Sequence, residues 1–384
     1  MREPPEGSGP LYRNLIHPRR PVEVAARQRC EEMWRLFQPL ADPNFLERLP
    51  FEFHQRWFEM YLGATLVSAG LDVRARTPGR GPDFEILVDG RRVYIEAVCA
   101  TAGDRLHADA VPEPVYRDAE GRTVCAQVPH DRISLRIATS VRAKRNAFDR
   151  YRAGGLVVPD DACVIAVNLR DVPQAWPDAK EGFFRAIYGV GNRFMVIDPR
   201  VGEIVSTGRE HRTLLTRSSG AAEAVAPMLD PNHSDVCAII GSSADAWNMR
   251  VPFGDDLVLM PHAGARAPCP RGLIRRGVEI SLSPGEESGS WSAEETDYGA
   301  AEPRGPEALT VEHEGRVFEG EWQITAGTRN APSQLVFFSL RNGVVPASGH
   351  VLRCGPLSVL YMTMGLSAMP SASNWSSNSP TCLS

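Results

Sequence analysis

Asp83 and Glu96 are the two residues of this chain whose types and spacing most clearly predict chemistry. Between them lies Asp89-Gly90, a strong signal for a two-residue β-turn of type I′, because both central positions of that turn take a positive φ. Such a turn fixes the register of the strands that it joins, so Asp83 is predicted directly opposite Glu96. Opposed side chains have Cβ atoms about 4.5–5.5 Å apart.

The Asp83–Glu96 pair predicts a metal site, because two carboxylates this close repel each other and a divalent cation would offset the repulsion. Mg²⁺ suits such a pair, with Mn²⁺ as a substitute, since hard cations are held by one or two carboxylates together with water and phosphate oxygens. The alternative is that Asp83 caps the turn after Pro82 while Glu96 faces water. Glu96, however, precedes the apolar run 97–100, which is typical of a buried strand.

Glu59 and Lys144 are two further residues that could join this pair. Glu59 lies at the edge of the apolar stripe of a helix predicted over 51–69. Lys144 lies within the apolar stripe of a helix predicted over 134–152, where an unpaired ammonium would be costly to bury. That stripe consists of Ile137, Val141, Lys144, Phe148 and Tyr151. Either charged group could instead reach water along its aliphatic stem. Lys180, the other lysine, is expected at the surface.

Around these residues the chain resembles the PD-(D/E)xK nuclease superfamily, which has the restriction-endonuclease-like fold. Pro82-Asp83 matches the first half of its motif, and Glu96-Ala97-Val98 matches the second half except that valine replaces the motif lysine. The resemblance implies a Mg²⁺ ion held by Asp83, Glu96 and the Ala97 carbonyl, with Glu59 binding directly or through water. It also implies that Lys144 replaces the missing lysine, as happens in this family, and that the reaction is phosphodiester hydrolysis in DNA.

Two other functions remain open. Loss of the lysine at position 98 is also compatible with a catalytically inactive nuclease-fold protein that binds nucleic acid or protein. Alternatively, the chain is an interaction protein whose carboxylate pair serves structure only. The segment 131–152 has a local net charge of +5. Its residues Arg136, Arg142 and Arg145 are therefore predicted to contact a nucleic-acid backbone, although a solvated helix face explains the charge equally well.

The elements that would position these residues follow an α/β order. Helices are predicted over 23–48, 51–69 and 134–152, and strands over 73–77, 83–88, 91–100 and 162–169. This order favours a restriction-endonuclease-like mixed central sheet flanked by helices, with its core in 51–169. Further strands at 194–198, 235–240 and 256–260 are expected to extend the same sheet. The whole domain is predicted to span 23–282.

The remaining segments are predicted from their composition. Residues 1–22 are expected to be a flexible N-terminus, 283–308 an acidic linker, and 309–324 a short hairpin. Residues 325–384 are expected to be a disordered or poorly ordered tail, or the product of a shifted reading frame.

Charge and cysteine usage limit the classes of function. The net charge of −5 disfavours a protein that binds nucleic acid over its whole surface, so any such contact would be local. No C-x-x-C pair occurs among the eight cysteines, which argues against a zinc site and for free thiols in a cytoplasmic protein. The N-terminus carries no secretory signal, and no apolar run is long enough to predict a membrane span.

Overall fold

The structure is a computed structural model. It describes residues 3–74, 81–117, 120–122, 128–176, 179–197, 199–200, 204–284, 291–298, 307–313, 316–322, 351–354 and 358–361. The chain divides into two compact units. The larger comprises residues Met1–Val190, His211–Pro303 and Thr325–Arg329, and the smaller comprises Gly191–Glu210, Arg304–Ile324 and Asn330–Ser384.

The helices lie mostly in the first half of the chain. They are α1 (Pro10–Ile16), α2 (Pro21–Phe37), α3 (Phe45–Arg48), α4 (Phe53–Ser68), α5 (His130–Ala153) and α6 (Ala179–Phe183). A π-helical turn, Phe184–Tyr188, follows α6, and two 3₁₀ turns follow at Pro227–Leu229 and Pro231–His233. Within the described residues no helix is both long and apolar enough to cross a membrane.

The strands are distributed along the whole chain. They are β1 (Asp72–Arg74), β2 (Phe84–Val88), β3 (Arg91–Thr101), β4 (Ala162–Asp171), β5 (Val190–Ile197), β6 (Ile204–His211), β7 (Leu214–Thr216), β8 (Ala222–Ala224), β9 (Ala238–Ser242), β10 (Val258–Pro261), β11 (Val278–Pro284), β12 (Trp291–Asp297), β13 (Glu307–His313), β14 (Arg316–Trp322), β15 (Val351–Cys354) and β16 (Ser358–Tyr361).

The larger unit is built on an eight-stranded mixed sheet with strand order β1-β2-β3-β4-β9-β10-β11-β12. Strands β3, β4 and β9 run parallel in its centre, and the β1–β2–β3 edge is antiparallel. β4 is buried from Ala162 to Leu169, as expected for a central parallel strand that is covered on both faces. The mixed α/β architecture with a large sheet flanked by helices is therefore confirmed.

The β2–β3 hairpin has the register that Asp89-Gly90 predicts. Asp89 and Gly90 have φ values of 49° and 77°, the positive values that a type I′ turn needs. Phe84 pairs with Ile95, and Ile86 pairs with Val93. This register brings the residue before β2, Asp83, beside the middle of β3.

Apolar side chains cover the sheet on both faces. On one face, α1 to α4 pack over the alternate β3 residues Val93, Ile95 and Ala97. On the other face, α5 and the π-helical turn pack over Tyr94 and the neighbouring central strands. Since side chains alternate along a strand, Glu96 faces the α5 side of the sheet.

The prediction that residues 1–22 are flexible is wrong for their second half. They contain α1, and its side chains Tyr12 and Leu15 are buried, because they join the apolar cluster that covers one face of the sheet.

Two helix boundaries differ from the prediction. The helix expected over 23–48 is divided into α2 and α3, because Pro39 and Pro43 lie in the gap and lack the N–H group that a continuous helix needs. Helix α5 begins four residues earlier than expected, directly after Pro129. Asp131 then lies in its first turn, where an acidic side chain interacts favourably with the helix dipole.

Two predictions about the later segments are wrong. The strand expected at 194–198 does not extend the main sheet, because β5 pairs with its neighbour in sequence, β6. Residues 291–297, expected in an acidic linker, form β12 at the edge of the main sheet. There Glu295 accepts hydrogen bonds from Lys180 at 2.8 Å, so Lys180 is largely buried and not a surface residue.

In the region where a hairpin is predicted, 309–324, the structure has the antiparallel pair β13–β14. Of the segment 325–384, the structure describes only the β15–β16 pair. The rest of that segment, residues 75–77 of the first predicted strand, and residue 198 lie outside the described residues.

Candidate active site

Asp83 and Glu96 lie side by side at the open end of the β2–β3 hairpin. The Ala97 N–H donates to Asp83 Oδ2 at 2.8 Å, which ties the aspartate to β3. The exposed fraction of the side chain is 10% for Asp83 and 4% for Glu96. Carboxylates this deeply buried need partners for their charge.

Lys144 is the cation that the two carboxylates share. Its Nζ lies 2.6 Å from Glu96 Oε2 and 3.8 Å from Asp83 Oδ2, although it belongs to α5 and not to the hairpin. Helix α5 packs over β3 and places the inward stripe of Ile137, Val141 and Phe148 in the core. Lys144 has the same helical phase, so its ammonium reaches the carboxylates instead of water.

Tyr151 is a second donor to Glu96. Its Oη donates to Glu96 Oε1 at 2.6 Å, while Lys144 donates to the other oxygen. Tyr151 lies seven residues after Lys144 on α5, close to two helical turns, so both side chains point in the same direction. Glu96 is thereby fixed by two groups from one helix.

Glu59 approaches the same place from α4. Its carboxylate accepts from Gln55 Nε2 at 2.9 Å and from Arg56 Nη1 at 2.7 Å. Gln55 also connects α4 to β3, because it donates to the Ala97 carbonyl at 3.2 Å and accepts from the Cys99 N–H at 2.9 Å. These bonds fix the position of Glu59 relative to the β2–β3 hairpin.

These side chains line a cavity of about 470 Å³. The walls come from α3, α4, the β2–β3 hairpin and α5. The lining residues are Arg48, Glu52, Gln55, Arg56, Glu59, Asp83, Glu96, Ala143, Lys144, Ala147, Arg150 and Tyr151. The four residues that the sequence predicts as catalytic, Asp83, Glu96, Lys144 and Glu59, are thus brought together.

The pKa values of the two glutamates are raised first by their burial and then by the neighbouring Asp83 charge. Burial and the nearby Asp83 charge raise the pKa of Glu59 to about 7, despite the opposing effect of Arg56. Burial and Asp83 also raise the pKa of Glu96, and Lys144 compensates only in part. For Lys144 itself burial opposes the charged form, but Asp83 and Glu96 outweigh it and raise its pKa. Lys144 is therefore a permanent cation near neutral pH.

The donor set fits a divalent cation held by two carboxylates. Asp83 raises the pKa of both Glu59 and Glu96, and this mutual repulsion is what a bound cation would relieve. Carboxylate oxygens are also the ligands that Mg²⁺ prefers. Across the part of the chain that the structure describes, no group of three or more His, Cys, Asp or Glu side chains is placed to hold a metal ion. Glu59 thus does not complete a three-carboxylate cage.

The arginines predicted to contact nucleic acid bind protein groups in the structure. Arg136 donates to the Thr101 carbonyl at 2.8 Å, and Arg145 pairs with Asp235 at 3.0 Å. Arg142 pairs with Glu223. None of the three lines the cavity. These bonds give the basic character of α5 a structural explanation, and the nucleic-acid contacts of these three residues stay a prediction.

Three residues of the site were not predicted from the sequence. Gln55 and Arg56 lie about one helical turn before Glu59, so the i,i+3 and i,i+4 spacing could have suggested them. Tyr151 belongs to the predicted inward stripe of α5, and a hydroxyl at its end was the signal that it could reach a buried carboxylate.

Comparison of the chain with protein-family models, with curated proteins and with solved structures finds no match.

Proposed function

We propose that this chain is a metal-dependent phosphodiesterase with a restriction-endonuclease-like architecture, acting on DNA. The observation that carries the proposal is the position of Lys144. Its ammonium comes from a separate helix and lies within 4 Å of both carboxylates of the hairpin, at 2.6 and 3.8 Å. Asp83, Glu96 and Lys144 therefore line one cavity. They do so although Val98 stands at the position where the family motif has its lysine.

In this proposal Asp83 and Glu96 hold Mg²⁺ or Mn²⁺, with the Ala97 carbonyl available as a further oxygen and Glu59 contacting the ion through water. When bound, the ion supplies Lewis acidity toward a phosphate oxygen and toward water. Gln55 and Tyr151 keep the ligands in place through their bonds to Ala97 and Glu96.

Lys144 and Glu59 have different roles in this proposal. Lys144 is a permanent donor, so it orients water or stabilises the negative charge that develops on the phosphate. Glu59 has a pKa of about 7, which suits a group that accepts a proton near neutral pH. The two roles are distinguishable, because of these two groups only Glu59 titrates near neutral pH.

A non-catalytic binding protein with the same architecture is the second candidate, and the bonding of Glu96 favours it. Both oxygens of Glu96 already accept from protein donors, Lys144 and Tyr151. These two donors partly offset the negative charge of the Glu96 carboxylate without a metal. In this candidate the cavity would serve binding only.

Nicking of a supercoiled plasmid in the presence of Mg²⁺ or Mn²⁺ tests the proposal. Asp83→Asn and Glu96→Gln keep the side-chain shape and remove the charge that holds the ion, so we expect cleavage to disappear in both. Glu85→Gln is the matched control, since Glu85 lies on the same hairpin, pairs with Arg74 and does not line the cavity. Equal nicking by wild type and both site variants would reject the assignment, and no nicking by wild type would favour the non-catalytic candidate.

A further inference from the structure

Arg150 differs from every other lysine and arginine of α5. The other six each make a side-chain hydrogen bond or ion pair with the protein: Arg132, Arg136, Arg142, Lys144, Arg145 and Arg152. Among the residues that the structure describes, the Arg150 guanidinium has no such partner. Its acidic neighbour in sequence, Asp149, is paired with Arg152.

Arg150 also lines the cavity, on the same side as Lys144. The α5 residues that face the cavity are Ala143, Lys144, Ala147, Arg150 and Tyr151, a spacing that puts them on one side of the helix. Lys144 is largely buried, whereas Arg150 is exposed. The unpaired guanidinium therefore lies where the cavity meets solvent.

Counted over the residues that the structure describes, the formal charges that line the cavity are balanced before any cation is bound. Four cationic residues (Arg48, Arg56, Lys144 and Arg150) face four acidic ones (Glu52, Glu59, Asp83 and Glu96). Three of these cations are already bonded to the acids: Arg48 and Arg56 to Glu52, Arg56 to Glu59, and Lys144 to Glu96. A divalent ion on the carboxylates would leave a surplus of two positive charges and one cation, Arg150, free to bind an anion.

We infer that Arg150 binds a phosphate of the DNA strand at the mouth of this cavity, and that this phosphate site becomes complete only when a divalent cation is bound. A guanidinium is suited to this role, because its planar donors match two phosphate oxygens at once. The cavity volume of about 470 Å³ is in the range of small-ligand sites, so one phosphate and its adjoining sugar fit and a duplex does not. The inference rests on the proposed function, since it assigns the substrate contact of the same cavity.

Binding of a fluorescent duplex oligonucleotide, followed by anisotropy in Ca²⁺ over a range of salt concentrations, tests the inference. Ca²⁺ takes oxygen ligands as Mg²⁺ does. We expect Arg150→Gln to weaken binding about tenfold and to lower the slope of log K against log salt by about one. Arg150→Lys should keep the slope and recover only part of the affinity, because the ammonium is a point charge.

Arg132→Gln is the matched control, because Arg132 is an exposed arginine at the other end of α5 that does not line the cavity. It should leave the affinity within about twofold and the salt slope unchanged. Equal effects of the two glutamine variants, equal wild-type binding with Ca²⁺ and with EDTA, or no binding by wild type would each overturn the inference.

The same experiment separates this inference from the proposed function. Cation-dependent binding that requires Arg150, without any plasmid nicking, would support the phosphate site and reject the hydrolase. Nicking that requires Asp83 and is unaffected by Arg150→Gln would reject the phosphate site and leave the hydrolase in place.

Discussion

Glu96 and Glu223 are both buried glutamates bonded to basic residues of α5, and they differ in how their charge is balanced. Glu223 has two guanidinium partners, Arg142 and Arg217, the latter through two bonds of 2.8 and 2.9 Å. Burial opposes its ionisation, but these bonds outweigh burial and lower its pKa. Glu96 shares the single ammonium of Lys144 with Asp83, and its pKa is raised.

This comparison separates a cluster whose ion pairs outweigh the effect of burial from one whose ion pairs do not. The Glu223 cluster is complete, because every charge has a partner of opposite sign. In the Asp83–Glu96 cluster, which faces a cavity, burial and the nearby Asp83 charge outweigh the bonds from Lys144 and Tyr151, and the pKa of Glu96 is raised. A divalent cation at this cluster would relieve the repulsion between its two carboxylates, which is why we propose an ion there and not at Glu223.

The largest expected effect is on cleavage by Lys144→Ala. Removing the ammonium takes away the only lysine of the cavity, and we expect the nicking rate to fall about 100- to 1000-fold at saturating Mg²⁺. Arg145→Ala is the control on the same helix, since Arg145 pairs with Asp235 and does not line the cavity. A nicking rate of Lys144→Ala equal to that of the control would show that Lys144 has no role in cleavage.

The second effect is a pH dependence of stability that comes from Glu59. Its folded-state pKa is raised from 4.5 to about 7, so protonation stabilises the folded state and this stability is lost as the pH rises from about 4.5 through about 7. The unfolding free energy lost over this pH range is on the order of 3 kcal/mol. Urea unfolding of metal-free protein at pH 5 and pH 8 should therefore show a smaller difference in Glu59→Gln than in wild type. An unchanged difference would contradict the raised pKa.

Glu223→Gln should show the opposite pH trend and a somewhat smaller effect. Because the folded-state pKa of Glu223 is lowered, its contribution to stability is present above its unfolded pKa and is lost as the pH falls through the folded value. We expect the variant to lose about 2 kcal/mol of unfolding free energy at pH 7 and less at pH 4, while plasmid nicking is retained. A nicking defect in folded Glu223→Gln would show that the two clusters are not separate.

The smallest effect is expected from Tyr151→Phe. Loss of the hydrogen bond to Glu96 should raise the pKa of that carboxylate further and weaken Mn²⁺ binding about tenfold near pH 7. The loss of affinity should shrink as the pH rises, because less of the Glu96 carboxylate is then protonated in either protein. Tyr94→Phe is the control. Like Glu96, Tyr94 lies on the face of β3 that α5 covers, but its phenol does not line the cavity. Equal Mn²⁺ affinities of the two variants would show that Tyr151 does not position Glu96.

The sequence was sufficient to predict the hairpin and the side chains that converge there. Asp89-Gly90 set the register through local turn geometry, and the apolar stripe of α5 set the direction of Lys144. Both are short-range patterns, with periods of two and about 3.6 residues, so a single sequence contains them. Once α5 packs over β3, these two patterns are enough to bring Lys144 into contact with Glu96.

The partners of the other α5 arginines could not be predicted in this way. Arg142 and Arg145 bind Glu223 and Asp235, which are 81 and 90 residues away in the sequence. No local pattern connects such residues, and the chain path between them decides whether they meet. The strand β12 is a similar case, since its Glu295 is bonded to Lys180, which is 115 residues away in the sequence.

Direct measurement of Mn²⁺ binding by isothermal titration calorimetry at pH 8 tests the central claim, because Glu59, whose pKa is about 7, is then mostly ionised. We expect wild type and Glu223→Gln to bind the ion with equal affinity, and Asp83→Asn and Glu96→Gln to bind it at least about tenfold more weakly. Equal binding by all four proteins, or no binding by wild type, would contradict the claim that Asp83 and Glu96 form a cation site.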